Sequence, residues 1–267
     1  MEALVILAVA VVVGVIGSML GIGGGLVLIP ILTLFLDVPM KTAIGASLVS
    51  VIATSSAAQL VYVGRGLTHT RLGMTLEITT TLGALVGGLI AVHVSGRSLQ
   101  VVFAAILVYA AFAMGSRRVD DAGFVPTGVL DTSYIDPRSN AAVAYGVRRL
   151  PWGMSASFVA GNLAGMLGVG GGLVQVPLMN LVMEMPLKAA FATSNFMIGV
   201  TAATSAALYF GRGLIDPHVA IPTALGVLVG AQLGPRLAGR MHSATLRWAF
   251  QLVMLVFAAQ MIWKAVR

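Results

Sequence analysis

Charged residues leave long gaps along this chain. Ala3–Leu36, Thr42–Gly64, Leu150–Met183 and Ala189–Gly211 each pass without an Asp, Glu, Lys or Arg. Each gap contains or exceeds the roughly 20 apolar residues that a helix needs to cross a hydrocarbon layer. Short segments with strict polar/apolar alternation, the mark of a membrane β-barrel, are missing. The pattern predicts helices over 3–20 and 26–36 separated by a break at 21–25, then helices over 40–63, 72–94 and 98–115. It predicts a second series over 150–167, 173–183, 187–210, 217–239 and 244–264, with a break at 168–172. The polar stretch 116–149 carries turn residues and charges of both signs. The chain therefore divides into a first transmembrane unit (1–115), an extramembrane linker (116–149) and a second transmembrane unit (150–267).

The two series are copies. Met19–Leu67 and Met166–Leu214 align without a gap at a constant offset of 147 residues, with 20 of 49 positions identical. Each copy opens on a glycine cluster inside an apolar run: Gly21-Ile-Gly23-Gly24-Gly25-Leu-Val-Leu-Ile-Pro30 and Gly168-Val-Gly170-Gly171-Gly172-Leu-Val-Gln-Val-Pro177. Interrupted hydrophobic segments at matching positions of two repeats point to the binding site of a secondary transporter. Drawn as one helix, residues 3–36 would reach about 51 Å, against a hydrocarbon core of about 30 Å. A hairpin fits better. It leaves three further crossings per copy, an odd number, so the copies would be inverted. Arg65, Arg71, the five linker arginines, Lys188, Arg236, Arg240 and Arg247 then share one side, which the positive-inside rule favours. A single crossing would make the copies parallel. Both alternatives put the linker and the Arg65–Arg71 loop in the cytoplasm.

Composition narrows the class. Apolar residues make up 58% of the chain and charged residues 9%, against roughly 45–50% and 25% in soluble domains. The expected fold is an all-α polytopic membrane protein. Met1–Gly17 has no basic leading region and no small-x-small cleavage pattern, so it is read as a retained helix rather than a signal peptide. The chain has no cysteine, which removes disulfides, thiolate metal sites and cysteine nucleophiles. The net charge of +7 comes from basic residues at loop and helix ends, not from a clustered stripe, so nucleic acid is not an expected partner.

Candidate chemistry follows from the copies. A break in hydrocarbon is tolerated where it is buried in protein or lines a wet cavity. A helix restarting after it presents unpaired N–H groups and a positive dipole end to an anion. Gly21, Gly23, Gly24, Gly25, Gly168, Gly170, Gly171 and Gly172 are therefore candidate site-lining positions, with close helix packing as the alternative. That alternative is preferred for the GxxxG pairs Gly83/Gly87 and Gly230/Gly234. Each copy continues with an acid, a proline, a lysine and a serine at the same spacing: Asp37, Pro39, Lys41, Ser47 and Glu184, Pro186, Lys188, Ser194. The acid and proline read as a helix start. Ser47, Thr193, Ser194 and Asn195 are candidate substrate contacts, the serine hydroxyls either facing a cavity or bonding their own helix backbone, and Lys41 and Lys188 are candidate gating groups that would otherwise snorkel. Arg65 and Arg212 follow a helix-ending glycine, where an arginine meets the negative dipole end; this explanation suffices, with a gate as the alternative. Glu77, followed by Thr79-Thr80-Thr81, is the carboxylate placed within a membrane helix, with Ala224 as its counterpart; proton coupling is its candidate role, and exposure at the interface, close to its helix start, is the alternative. Gln175, Asn180 and Asn195 are polar on apolar helices of the second copy and suit either substrate oxygens or helix bridging. No histidine pair has metal-ligand spacing, and Gly45-Ala-Ser47-Leu lacks the last glycine of an intramembrane protease motif. An enzyme and a cofactor are not expected.

The doubled GxGGG-(apolar)-Pro element, followed by Pro-x-Lys-x-Ala and a serine-bearing helix, resembles the TauE/SafE family of sulfite and sulfonate exporters over nearly the whole chain. That resemblance implies a bacterial or archaeal inner-membrane protein of about eight membrane segments, each roughly a bilayer thick. It implies sulfite, thiosulfate or small organosulfonates as cargo. The family's Thr-Ser pair is matched by Thr193-Ser194, whereas the first copy has Ala46-Ser47. The expected function is secondary transport of such anions by alternating access. A non-transporting assembly protein and a passive anion channel are the alternatives. The expected partners are a small anionic substrate and the lipid bilayer, with a second copy of the chain as the protein partner considered.

Overall fold

The computed structural model describes residues 2–115, 128 and 130–266. The part of the linker that holds Arg117, Arg118, Asp120 and Asp121 lies outside the described residues. Ten α-helices make up most of what is described: α1 (Glu2–Met19), α2 (Gly25–Phe35), α3 (Met40–Gly64), α4 (Thr70–His93), α5 (Gly96–Gly115), α6 (Leu150–Leu167), α7 (Gly172–Pro177), α8 (Leu187–Gly211), α9 (Pro217–Arg240) and α10 (Ser243–Val266). The chain is an all-α polytopic membrane protein. Among the described residues, Met40–Gly64, Thr70–His93, Pro217–Arg240 and Ser243–Trp263 are long and apolar enough to cross a bilayer, and shorter apolar helices accompany them.

Both breaks fall where the glycines do, and at both the chain turns back. Ile6 and Val9 of α1 line one groove together with Leu28, Leu32 and Phe35 of α2. In the second unit the amide of Arg148, just before α6, donates to Met183 O, just after the return arm (3.2 Å). Each arm thus ends near the level at which its partner began. Proline shapes the returning arms. Pro30 lies inside α2, while its counterpart Pro177 closes α7 and a π-helical turn follows over Leu178–Val182. A proline lacks the amide of the regular ladder, and the wider i→i−5 bond from Met183 N to Leu178 O carries the chain on.

Helices α3 and α8 start on Pro39 and Pro186 as N-caps, without a side-chain capping bond. The proline therefore stands one place outside the first turn that the spacing suggested. Asp37 and Glu184 instead take left-handed backbone angles (φ 50° and 59°) ahead of it. At the other end, Leu67 N bonds Tyr62 O and Gly66 N bonds Val63 O; Leu214 and Gly213 repeat the arrangement with Tyr209 and Phe210. These are Schellman closures with glycine in the left-handed position.

Packing runs between the units as well as within them. α1 lies on α9, α6 on α4, α3 on α8, and α5 on α10. The GxxxG positions make the first two contacts. A side chain on Gly83 or Gly87 would collide with Phe158 O or Asn162 O of α6, and one on Gly230 with Val11 O of α1. The linker holds an element that turn chemistry alone did not suggest. Strands β1 (Thr132–Ile135) and β2 (Ala142–Tyr145) pair antiparallel, Thr132 opposite Tyr145 and Ile135 opposite Ala142. One face of this hairpin buries Tyr134 and Tyr145 in a cluster with Leu67, Leu72 and Met183. Burial, and secondarily the neighbouring Tyr134, push the Tyr145 phenol up from its usual range.

Candidate functional site

The centre of the molecule is built from the two glycine breaks. Gly21, Gly23 and Gly24 have φ of 67°, 73° and 72°; Gly168, Gly170 and Gly171 have 69°, 71° and 84°. An L side chain in this region costs about 1–2 kcal/mol per residue, so three such positions within four residues call for glycine. Gly24 and Gly171 are the N-caps of α2 and α7, and neither helix has a side-chain capping bond. Gly25 and Gly172 open those helices against the opposite break. A side chain on Gly25 would run into Ser47 Oγ and Gly168 O, and one on Gly172 into Gly21 O and Ser194 Oγ. Val51 and Ile198 close the space that both Gly23 and Gly170 face.

The serines fix this meeting. Ser47 Oγ donates to Gly168 O (2.7 Å) and Ser194 Oγ to Gly21 O (2.8 Å). The two bonds are the same bond at the 147-residue offset, exchanged between the units, and both serines are fully buried. Each hydroxyl therefore meets a carbonyl of the other copy, where the sequence suggested a cavity or the serine's own helix. Asn195, also fully buried, donates from Nδ2 to Ser18 O (3.0 Å) and Phe191 O (3.1 Å). Its Oδ1 has no partner among the described residues. Tyr62 Oη reaches the same Ser18 O (3.0 Å), and Tyr209 Oη reaches Met166 O (3.2 Å).

The remaining candidates are distributed around this centre. Thr193 turns to the α3–α4 connection and accepts the amide of His69 (3.0 Å). Lys41 Nζ donates to Val92 O (2.7 Å). Lys188 Nζ donates to Asp136 Oδ1 (2.7 Å) and lies 3.4 Å from Gly239 O. Arg65 and Arg212 are exposed C-caps of α3 and α8. Glu77 is 8% exposed and borders an apolar groove of about 460 Å³ with Met74, Thr81, Phe196 and Val200. Its Oε1 accepts from Thr81 Oγ1 (2.9 Å) and Thr201 Oγ1 (2.7 Å), while Oε2 is buried without a partner among the described residues. Gln175 bridges helices through Thr80 Oγ1 (2.9 Å), and Asn180 donates to Met185 O (2.8 Å).

Several participants were missed by sequence reasoning. Ser18, Ser55 (bonded to Asn195 O), Gln59 (bonded to Ala192 O) and Asp136 all touch the centre or its surroundings. At the 147-residue offset the first three face Gly165, Ala202 and Ala206, so the repeat carried no signal for them. Asp136 sits in the linker, which is not repeated.

Broken helices meeting inside a bundle of apolar helices define a polytopic membrane protein of the transporter type. Over residues 6–261 the sequence matches the family described as sulfite exporter TauE/SafE, and the chain belongs to that family of membrane transporters. It is similar to the probable membrane transporter protein YunE of Bacillus subtilis, with 26% identity covering 100% of this chain and 99% of the relative. It is also similar to a probable membrane transporter protein of Xylella fastidiosa (25% identity; 94% of this chain, 93% of the relative). A third relative is a probable membrane transporter protein of Methanocaldococcus jannaschii (23% identity; 91% and 88%). No solved structure matches the chain.

Proposed function

We propose that this chain is a secondary transporter that exports small anions, of the size and charge of sulfite, thiosulfate or organosulfonates, across the cytoplasmic membrane by alternating access. The observation that carries the reading is the exchanged pair of bonds, Ser47 to Gly168 O and Ser194 to Gly21 O. It makes the meeting of the two breaks a symmetric contact between the two units. Breaking one bond while keeping the other opens one end of the contact and leaves the other closed, which alternating access requires. The turned-back arms support inverted repeats: a hairpin plus three crossings reverses the second copy.

In an opened state the first-turn amides of α2 and of the arm starting at Gly172 become donors for an oxyanion, with Ser47, Thr193, Ser194 and Asn195 nearby. The Oδ1 of Asn195 accepts from a protonated anion or from water. Glu77, with one oxygen held by two threonines and the other unpaired, is the proton-coupling group, positioned between α4 and α8. Lys41 and Lys188 attract the anion to the two ends of the path. A small anionic solute and the bilayer are then the partners required.

The test is tracer flux in proteoliposomes with labelled thiosulfate and taurine, with and without a proton gradient. Saturable flux supports the reading. Flux linear in concentration indicates a channel, and its absence an assembly protein. Gly24→Leu and Gly171→Leu should each abolish flux while leaving membrane insertion intact, because both force a bulky residue into the left-handed region. Unchanged flux in both would refute a glycine-built site.

A further inference from the structure

The two copies differ at their lysines, and the difference is an acid from the linker. Lys41 and Lys188 are equivalent, and so are the carbonyls beside them, Val92 O and Gly239 O. Lys41 sits directly on its carbonyl at 2.7 Å. Lys188 is drawn off to 3.4 Å by Asp136, whose Oδ1 is 2.7 Å from Nζ. Lys188 is 6% exposed, so this is a buried ammonium whose counter-ion arrives from another part of the chain. Removing the counter-ion of a buried charge is strongly unfavourable unless another anion takes its place.

The surroundings form a niche. Gly239 has no side chain, and the space that a Cβ would fill is bordered by Arg65 Nη1 (2.9 Å) and by Pro137 Cγ (3.4 Å). Two cations thus flank the spot where the turn enters. Beneath it a small cavity is lined by Tyr62, Lys188, Phe191 and Leu246. Two of these lead to the breaks: Phe191 O lies against Gly21, and Tyr62 Oη bonds Ser18 O. The intruding turn is locally organised, with Asp136 N on Ala141 O, Asn140 N on Asp136 O, and Arg138 N on Asp136 Oδ1. The strands behind it are anchored separately by Tyr134 and Tyr145, and His69 Nε2 contacts Leu130 O (2.9 Å).

We infer that Lys188, Arg65 and the bare Gly239 form an oxyanion-binding niche on the linker side of the path, and that Asp136 occupies it as a tethered stand-in for the transported anion. A sulfite, sulfonate or thiosulfate group offers Lys188 the same charged oxygen. It displaces the turn 136–141, while Tyr134 and Tyr145 keep the hairpin in place. Among the described residues, the lysine of the other copy meets a carbonyl, Val92 O, where Lys188 meets the linker acid. The inference rests on the transport reading for its ligand class but concerns a different site from the breaks.

The chain contains no cysteine, so Ser139→Cys, in the exposed turn, takes a single spin label in the full-length protein in nanodiscs. Without anion, the label should be immobile, and it should become mobile as thiosulfate or taurine is added. Asp136→Asn should mobilise it without anion, and Asp136→Glu should keep it immobile. By equilibrium dialysis, Asp136→Asn should bind labelled thiosulfate about tenfold more tightly, if the turn is docked nine-tenths of the time and its release removes that occupancy. Lys188→Gln should abolish the anion response of the label. An immobile label in Asp136→Asn, or an anion response that survives Lys188→Gln, overturns the niche. Saturable flux with a turn that never responds refutes the niche and leaves the transport reading standing. A responding turn without flux supports the niche and refutes transport.

Discussion

The serine pair offers a direct test of the central contact. Ser47→Ala and Ser194→Ala each delete one hydroxyl and leave a fully buried carbonyl, Gly168 O or Gly21 O, without its donor. A hydrogen bond within a protein is worth about 1 kcal/mol net, and an abandoned buried acceptor about 1–3 kcal/mol. Between membrane helices the measured average is about 0.6 kcal/mol, with a maximum near 1.7. Each replacement should therefore cost about 1–1.5 kcal/mol. The two costs should agree within about 0.5 kcal/mol, because the two environments are copies of each other. Ser50→Ala is the internal control. Ser50 is equally buried, but its hydroxyl donates to Ala46 O in its own helix (3.1 Å), a bond worth little to a helix that already has its ladder. Its loss should stay below about 0.5 kcal/mol. Reversible unfolding in mixed micelles, followed by the fluorescence of Trp152, Trp248 and Trp263, gives the three values. Should Ser47→Ala and Ser194→Ala match Ser50→Ala, or should only one of them be destabilised, the exchanged contact does not hold the two units together.

Two further outcomes follow from the same geometry. Glu77→Gln keeps an acceptor for Thr81 and Thr201 but has no proton to release, so gradient-driven flux should fall at least about tenfold, while exchange at equal pH on both sides persists; equal loss of both would assign Glu77 to structure. Gly87→Leu drives a side chain into the backbone of α6 at Asn162 and should cost at least about 2–3 kcal/mol, seen as a lower unfolding midpoint, because neither backbone can yield as a side chain would; Gly64→Leu, where nothing lies within 4 Å, should be far milder.

Most helix positions were legible because apolar run length is a one-dimensional signal. The predicted helix 40–63 is found at Met40–Gly64, and 217–239 at Pro217–Arg240. Glycine and proline marked the breaks because their backbone restrictions act locally. The π-turn after Pro177 was not legible, since its counterpart Pro30 sits in an α-helix; the same residue gives two outcomes in two packing environments. The β1–β2 hairpin was missed for a related reason. Its strands are four residues long, too short for a period to register, and it is stabilised by burying Tyr134 and Tyr145 against distant helices.

By itself, the sequence determined that the chain is a membrane protein, where its helices lie, and that it carries one motif twice. Composition, run length and repetition are properties of the chain alone. The tertiary structure decided what the repeated residues do. Ser47 and Ser194 meet the other copy's glycine carbonyls, Thr193 meets a loop amide, and Lys188 is claimed by a linker acid whereas Lys41 sits on a helix carbonyl. Two matching motifs have similar local preferences, but a hydroxyl or an ammonium bonds whatever the fold brings within about 3 Å, and only the packed molecule specifies that neighbour.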